Sequence, residues 1–318
     1  MEKYIPISFD ILLNNLNEVE NIELFIKGER GLKKIKEKGK PLSNELKAKL
    51  AKFKKGKQNK VLVKTESNAV FNLCNVAIQR IIQSRERPER IIREIFSILN
   101  TMYDALVTNP VKENFTSVSS ANEKVSRFIE NNPQVTKLTI STLKKDTSTS
   151  IHTINVQKLV SGFAHFIGMR GTKLKIFVDG SFFHDIGKIK IPDNILKKPG
   201  RLTDEEFEIM KKHTLFGYEI LIENDLKKYS KMALEHHEFM DGSGYPNGIK
   251  GEDISEYAKI VQICDIFEAL TGIRPYKKPF EIFNALELMK KEFVDKGKID
   301  KELFEEFLNF LKINKESS

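Results

Sequence analysis

From residue 66 onward, apolar residues recur at the three- and four-residue spacing that places them on one face of an α-helix. Ile78, Ile81 and Ile82 follow this spacing, and a second series runs from Ile91 to Leu99. The chain of 318 residues has only 17 glycines and 10 prolines, below the ~12% that these two helix breakers usually contribute. The pattern therefore predicts an all-helical C-terminal two-thirds and argues against a multi-stranded β-sandwich.

The predicted helices are separated by short loops. Helices are expected over 66–108 with a break at Arg87-Pro88, then over about 120–131, 203–222, 256–270, 279–293 and 299–311. Thr203 and Glu206 have the spacing of a capping box, which marks the start of the helix that we expect to run to about Ile222. Pro133 ends the helix that is expected over about 120–131.

The first 64 residues have a different pattern. Alternating apolar residues predict short strands near 22–26, 32–35 and 61–63. Leu46, Leu50 and Phe53 share one face of a helix that begins after Pro41. We therefore expect a mainly α chain, with a small N-terminal α/β module over 1–64 followed by helical regions.

Charge supports the same boundary. The chain has a net charge of +9, and residues 1–64 alone hold 16 basic and 8 acidic side chains. We expect three regions, namely a basic module over 1–64, a helical linker or regulatory region over 65–132, and a main domain over 133–318. The basic module lacks the interleaved aromatics that stack on bases, which disfavours nucleic acid and favours a protein partner or an anionic surface.

The sequence also bears on the compartment. No run of ~18 apolar residues predicts a membrane-spanning helix, and the first residues do not resemble a signal peptide. Cys74 and Cys264 are too few for a disulfide framework or a cysteine-rich zinc site. We expect a cytoplasmic protein.

All the histidines of the chain lie between 152 and 237. They are His152, His165, His184, His213, His236 and His237. Neighbouring side chains on a helix diverge by ~100°, so the pair His184-Asp185 can approach one ion from two sides or bridge two ions. Taken singly, His165 fits a packed core residue and His213 fits a surface residue. The cluster as a whole favours a metal site, and imidazole and carboxylate without thiolate suit iron, manganese, zinc or nickel.

Asp265 is the one acidic residue in an otherwise apolar stretch, 260–267. Burying an ionised carboxylate in such a helix costs several kcal/mol unless a cation or hydrogen-bond donors compensate it. A metal would compensate the charge, and so would a lysine or backbone groups. The residue alone leaves these two explanations open.

Several strings in the C-terminal part resemble the motifs of the HD-GYP phosphodiesterases. They are HDIGKIKIPD at 184–193, KKPGRL at 197–202, MKKH at 210–213, HHEFMDGSGYP at 236–246, DIFEALT at 265–271 and RPY at 274–276. The resemblance covers roughly 140–280 and keeps the family order. It implies an all-helical HD-type metal phosphohydrolase domain whose usual activity is hydrolysis of cyclic di-GMP.

The resemblance also implies a set of site residues. The first metal would be held by His152, His184, Asp185 and Asp265, and the second by His213, His236 and His237, with Asp185 bridging both. The two divalent ions that we expect are iron or manganese. Lys188 would lie beside the nucleophile and the scissile phosphate, and Arg274 and Lys277 would hold the phosphates of the substrate. Tyr245 would stack on a guanine or pack beneath its loop.

Four positions, in three places, depart from the family pattern. Ser148 stands four residues before His152, where members that bind a third metal have a glutamate, so we expect two metals and linear pGpG as the main product. Phe239-Met240 replaces the usual basic–aromatic pair, and Glu268 replaces the usual aspartate. We expect these two changes to reshape the pocket or its mouth.

The implied chemistry is hydrolysis of a phosphodiester. Two metals ~3.5–4 Å apart lower the pKa of a shared water and hold it as a bridging hydroxide, which serves as the nucleophile. Asp185 would fix the separation of the metals. Lys188 lies one helical turn after His184 and would stabilise charge on the phosphate, although a lysine here could instead complement a helix dipole.

Two other functions remain open from the sequence. One is a non-catalytic cyclic di-GMP sensor or protein-interaction module, which would be expected to have lost metal ligands. None of the seven positions has lost its ligand. The other is an HD phosphohydrolase for a different cyclic dinucleotide, against which the GYP string and Arg274 argue.

Overall fold

The computed structural model describes residues 4–8, 11–12, 18–28, 31–53, 60–64, 68–141, 143, 148–273 and 279–313. The chain forms two compact units, Met1–Val125 and Ser126–Ser318. Helices dominate both units, and a small antiparallel sheet lies in the first. The predicted fold class, mainly α with a small N-terminal α/β module, is confirmed.

The sheet has four strands in the order β1-β4-β2-β3. They are β1 (Tyr4–Ser8), β2 (Leu24–Gly28), β3 (Gly31–Lys36) and β4 (Lys60–Lys64). Val61 and Val63 are buried while Leu62 is less so, which is the alternation expected of a strand with one face on a core. The expected strands β2, β3 and β4 are confirmed. The sequence did not predict β1, which carries Pro6 at an edge of the sheet, where a missing N–H is tolerated.

The helices follow the predicted series with several shifted ends. In chain order they are α1 (Asn44–Phe53), α2 (Ala69–Ile82), α3 (Pro88–Thr108), α4 (Lys112–Asn131), α5 (Gln134–Ser141), α6 (Thr149–Phe166), α7 (Gly171–Phe183), α8 (Asp193–Leu196), α9 (Asp204–Lys211), α10 (His213–Glu223), α11 (Lys227–Glu235), α12 (Glu256–Thr271), α13 (Ile282–Met289) and α14 (Lys301–Ile313). The break at Arg87-Pro88 is confirmed, because Pro88 occupies the first position of α3.

The expectation of one helix from Thr203 to about Ile222 is wrong. The capping box of Thr203 and Glu206 is present, but α9 ends at Lys211 and α10 starts at His213. The side chain of Thr214 donates to the carbonyl of Lys211 at 2.9 Å and so binds a backbone group at the junction. His213, the first residue of α10, is buried.

The core of the second unit is built around α6. Nearly every residue of this helix is buried, including polar ones, because α5, α7 and α12 all pack against it. Two of these three helices, α7 and α12, also contact each other, and both contact α11. Among the described residues, no helix combines the length and the apolar character needed to cross a membrane.

Candidate metal centre

Five segments of the second unit bring the predicted ligands together. His152 lies on α6, His184 and Asp185 follow the end of α7, and His213 begins α10. His236 and His237 follow α11, and Asp265 lies on α12. All of these side chains are buried except that of His237, which is half-buried.

Asp185 lies between two groups of imidazoles. Its Oδ2 is 3.4 Å from Nε2 of His184 and 3.5 Å from Nε2 of His152. Its Oδ1 is 3.4 Å from Nε2 of His213 and 3.8 Å from Nε2 of His236. The two oxygens of one carboxylate thus face two different clusters of nitrogen donors. His237 belongs to the second cluster.

Backbone carbonyls orient three of these rings. Nδ1 of His184 lies 2.7 Å from the carbonyl of Ser181, and Nδ1 of His213 lies 2.8 Å from that of Met210. Nδ1 of His236 lies 3.0 Å from the carbonyl of Met232. A carbonyl only accepts, so each Nδ1 carries the proton and each Nε2 is left with a lone pair. These lone pairs face the centre, as metal ligation requires.

His152 is oriented by a carboxylate instead. Its Nδ1 bonds to Glu268 Oε2, and the other oxygen of Glu268 accepts a hydrogen bond of 3.0 Å from Asn155. Its Nε2 lies 3.0 Å from Oδ1 of Asp265. Asp265 is therefore beside the first cluster, as the resemblance implied.

Glu268 and Asn155 are residues whose role sequence reasoning missed. In the sequence, Glu268 stands out only as a departure from the family pattern. It lies three residues after Asp265 on the same helix, which puts both carboxylates on one face. A second acidic residue one helical turn after the candidate ligand Asp265 is the signal that the sequence offers for its role. A carboxylate that binds the outer nitrogen of a ligating histidine fixes the ring and increases its basicity.

The protonation states suit metal binding. Burial lowers the pKa of His213 to about 4 and that of His237 to about 3. Burial by itself would raise the pKa of Asp185, but the charge of Lys188, its largest lowering influence, holds it well below its usual range. At neutral pH the second cluster therefore presents neutral imidazoles and an ionised carboxylate, which are the forms that bind metals.

Two buried atoms at the candidate centre lack a hydrogen-bond partner among the described residues. They are Nε2 of His184 and Oδ1 of Asp185. Leaving buried polar atoms unpaired is costly, and both atoms are good ligands that point at the centre. The residues thus fit divalent metal binding.

Close packing holds the turn that carries Asp185. This 3₁₀ turn, Ile186–Lys190, packs on α10, and a Cβ added at Gly187 would overlap the carbonyl of His213. Only glycine allows the two segments to approach so closely.

Lys188 follows in the same turn, and its Nζ lies 2.5 Å from Oδ2 of Asp185. Its side chain remains 21% exposed, so the ammonium group lies at the edge of the centre.

The loop with the GYP string folds back over the second cluster. A Cβ at Gly244 would overlap the backbone of Phe239 and His237, and the N–H of Tyr245 donates to the carbonyl of His237 at 3.1 Å. The Tyr245 ring stacks on the His237 ring with centroids 4.8 Å apart. Tyr245 therefore packs against a ligand candidate at the border of the centre.

Arg274 and Lys277, the predicted phosphate contacts, lie outside the described residues. His165 is a buried core residue, as expected, with Nδ1 2.7 Å from the hydroxyl of Thr136. The alternative of a surface position for His213 is wrong, because the residue is buried beside Asp185, His236 and His237. Ser148 caps α6 by accepting a hydrogen bond from the N–H of Ile151.

Comparison with known proteins agrees with this geometry. The HD domain family model matches residues 124–303. A cyclic di-GMP phosphodiesterase of Thermotoga maritima is 45% identical over 138 residues, which cover 42% of this chain and 38% of that protein. The cyclic di-GMP phosphodiesterase response regulator RpfG of Xanthomonas campestris is 39% identical over 145 residues, 45% of this chain and 38% of the relative. A 3'3'-cGAMP-specific phosphodiesterase 2 of Vibrio cholerae is 39% identical over 135 residues, 42% of this chain and 26% of the relative.

These matches cover about two fifths or less of the length of each relative. Among solved structures, Bd1817, an HDG"Y"P protein from Bdellovibrio bacteriovorus, superposes with a TM-score of 0.68 at 18% identity. The superposition covers 98% of this chain and all of that one, which shows a shared fold. Since the family model spans more than half of the chain and the HD and GYP strings lie on the ligand-bearing segments, the chain belongs to the HD domain family, within its HD-GYP group.

Proposed function

We propose that this chain is a metal-dependent phosphodiesterase that hydrolyses cyclic di-GMP to linear pGpG. The observation that carries the proposal is the position of Asp185, whose two oxygens face two clusters of histidine nitrogens at 3.4–3.8 Å. Such an arrangement suits two cations held side by side by one shared carboxylate. The names of the relatives, which include cyclic di-GMP phosphodiesterases, support the substrate class.

The proposed centre holds two ions, iron or manganese. His152, His184, Asp185 and Asp265 would hold the first, and Asp185, His213, His236 and His237 would hold the second. When bound, such ions supply Lewis acidity, which neutralises a phosphodiester and activates water. No carboxylate is available at Ser148, which caps a helix, and this supports two ions over three.

Lys188 is the proposed catalytic partner of Asp185. Its ammonium group is bonded to Asp185 but partly exposed, so a phosphate entering the centre would meet it directly. There it would bind a phosphate oxygen and stabilise the charge that builds up as the phosphodiester bond breaks. Because Asp185 holds the ammonium in place, little reorganisation is needed during the reaction.

The substrate contacts extend the proposal beyond the metal ligands. Arg274 would bind phosphate through its planar guanidinium group, and Lys277 would add a second positive charge. Tyr245 would contact a guanine with the ring face that does not stack on His237. These contacts would hold the phosphodiester in line with the attacking water.

A second candidate substrate is 3'3'-cGAMP. It is favoured by relatives named 3'3'-cGAMP-specific phosphodiesterases, which are as similar to this chain as several of the cyclic di-GMP enzymes. The two dinucleotides differ in one base, and the metal centre binds the shared phosphates. Discrimination between them would therefore depend on base contacts.

The proposal includes a location and a partner surface. We place the protein in the cytoplasm, where thiols such as the buried, free Cys74 and Cys264 stay reduced. The basic module over 1–64 would bind a protein partner or an anionic surface. Exposed lysines at 33, 38 and 40 contribute to that charge, whereas Lys36 is buried and donates to backbone carbonyls at 2.8–3.0 Å.

The test is a product assay on protein loaded with metal under anaerobic conditions. Cyclic di-GMP and 3'3'-cGAMP are supplied in parallel, and the products are separated by chromatography. We expect faster hydrolysis of cyclic di-GMP, with pGpG as the main product. Binding of either dinucleotide without any hydrolysis would instead support a sensor, and faster hydrolysis of 3'3'-cGAMP would support the second candidate.

A further inference from the structure

A cavity of about 230 Å³ adjoins the metal centre. His237 and Asp265 lie on one part of its wall, and Phe239, Ile266, Leu270 and Phe293 form an apolar part. A ligand that enters the cavity is therefore next to the ligands of both clusters. Its apolar wall suits a flat, weakly hydrated ring rather than a phosphate.

Backbone hydrogen bonds next to Phe239 and contacts of its ring fix its position at this wall. The N–H of Met240 donates to the carbonyl of Lys298, and the N–H of Lys298 donates to the carbonyl of Phe293, both at 2.8 Å. The rings of Phe239 and Phe293 lie with centroids 5.8 Å apart, and Nζ of Lys298 is 5.3 Å from the Phe239 centroid. The Phe239 ring therefore packs against Phe293 and Lys298 and also borders the cavity.

The wall also offers a polar group. The amide nitrogen of Gln262 donates to the backbone carbonyls of Glu238 and His236, the latter at 3.4 Å. This turns the amide oxygen away from those carbonyls and makes it the acceptor that Gln262 can offer to a ligand. An apolar slot with one acceptor matches a purine that carries N–H donors on its edge, as guanine does.

We propose that Phe239, Phe293 and Gln262 form a nucleobase pocket, in which a guanine of the substrate stacks on Phe239 and donates to Gln262. The inference rests on the proposed function and adds the residues that select the base. Aromatic rings stack on bases through their faces, and this contact excludes water from both. Phe239 supplies an aromatic ring on the cavity wall directly after the His236-His237-Glu238 string.

The chain offers a direct reporter of such stacking, because it contains no tryptophan. Phe239→Trp places the sole indole in the pocket, and its emission is followed with excitation at 295 nm. The matched control is Phe283→Trp, since Phe283 is 67% exposed and lies outside the cavity wall. Cyclic di-GMP and GMP are titrated as probes, with ribose 5-phosphate as the base-free comparison.

We expect saturable quenching of Phe239→Trp by cyclic di-GMP and GMP, none by ribose 5-phosphate, and no response of Phe283→Trp. Emission of Phe239→Trp that stays unchanged at saturating cyclic di-GMP, in protein that hydrolyses it, would overturn the inference. If the wild-type chain hydrolyses no cyclic dinucleotide, the proposed function fails, while the fluorescence titration still reports on the pocket.

Kinetics provide a second measurement that does not need the indole. Phe239→Ala should raise KM for cyclic di-GMP roughly 10-fold to 100-fold, the range expected for loss of one base–aromatic stack, while kcat and metal content change little. Phe239→Tyr should restore KM. An unchanged KM in Phe239→Ala, or a fall in kcat that accompanies loss of metal, would contradict a base-binding role.

Discussion

At the scale of single residues, Asp185 has an environment that few carboxylates tolerate. It is buried, and its neighbours are four imidazole nitrogens and one ammonium group. The positive charge of Lys188 stabilises the ionised form, and the pKa of Asp185 is held well below its usual range. Lys188 and Asp185 are adjacent, but we assign them different roles, which separate variants can distinguish.

Lys188→Ala should keep near-normal metal content while the rate falls about 10²–10³-fold, because we propose that the ammonium acts on the phosphate and is not a ligand. Metal analysis and turnover on the same preparation measure both quantities. Lys190→Ala is the matched control, since Lys190 lies in the same turn but is exposed and is bonded to Glu219. A Lys188→Ala protein with full activity would contradict the catalytic role.

Glu268 is expected to act through His152. Glu268→Gln removes the charge that orients the ring and should weaken metal binding at the first cluster about 10-fold to 100-fold. Glu268→Asp, which has the residue usual in the family, should restore part of the affinity. Competition with a chelator of known affinity measures the change, and equal affinity in all three proteins would argue against the orienting role.

Metal binding at pH 7 should release the proton of His152, in addition to any proton that a metal-bound water loses. Burial by itself would lower the pKa of His152, but Glu268, Asp185 and Asp265 raise it well above its usual value, so the metal-free ring is charged. His213 and His237, with pKa values of about 4 and 3, are already neutral. Affinity at the first cluster should therefore fall as the pH drops. Calorimetry in two buffers of different ionisation enthalpy counts the protons, and a count of zero would refute this assignment.

The sequence identified the ligand types but not the residues that orient them. His184-Asp185 and His236-His237 stand out because such pairs are rare in a chain with six histidines. Glu268 is not visible in this way, because its role depends on a contact with His152, 116 positions earlier in the chain. Pairings of that separation depend on how α6 and α12 pack.

At the scale of elements, the centre depends on the close approach of the Ile186–Lys190 turn to α10. Gly187→Ala would insert a methyl group against the carbonyl of His213 and the N–H of Gly217. We expect a loss of about 1–3 kcal/mol in the free energy of unfolding, as for overpacked cores, and weaker metal binding at the second cluster.

Gly217→Ala is the matched control for this prediction. Its Cβ would meet the Cβ of Ala233 at 3.1 Å, so the backbone at Ala233 would need to move by only a few tenths of an ångström, far less than the overlap at Gly187 requires. Thermal unfolding and metal analysis of both variants compare the two glycines. If Gly187→Ala were as stable as the wild-type chain, the close approach of the Ile186–Lys190 turn to α10 would not require glycine at 187.

Helix periodicity predicted most elements, and the exceptions have local causes. Apolar spacing does not detect the break between α9 and α10, because only one residue, Lys212, separates the two helices. The sequence does not predict strand β1, because Pro6 weakens a strand signal, although an edge position accepts it.

At the scale of the whole molecule, every described residue of the candidate metal centre lies within Ser126–Ser318. The proposed division at 64 and 132 remains a prediction. If the basic module is a regulatory or partner surface, removal of residues 1–64 should leave the metal content and much of the hydrolysis intact. Loss of all bound metal in the shortened protein would show that the module completes the centre.

The most direct test of the account is the number of metal ions per chain in the wild-type protein and in Asp185→Asn, loaded and measured anaerobically. Asp193→Asn is the control, because Asp193 is exposed and pairs only with a surface lysine in the described structure. We predict two ions in the wild-type and control proteins and at most one in Asp185→Asn, which lacks the charge that holds the two together. Two tightly held ions in Asp185→Asn would contradict the shared carboxylate.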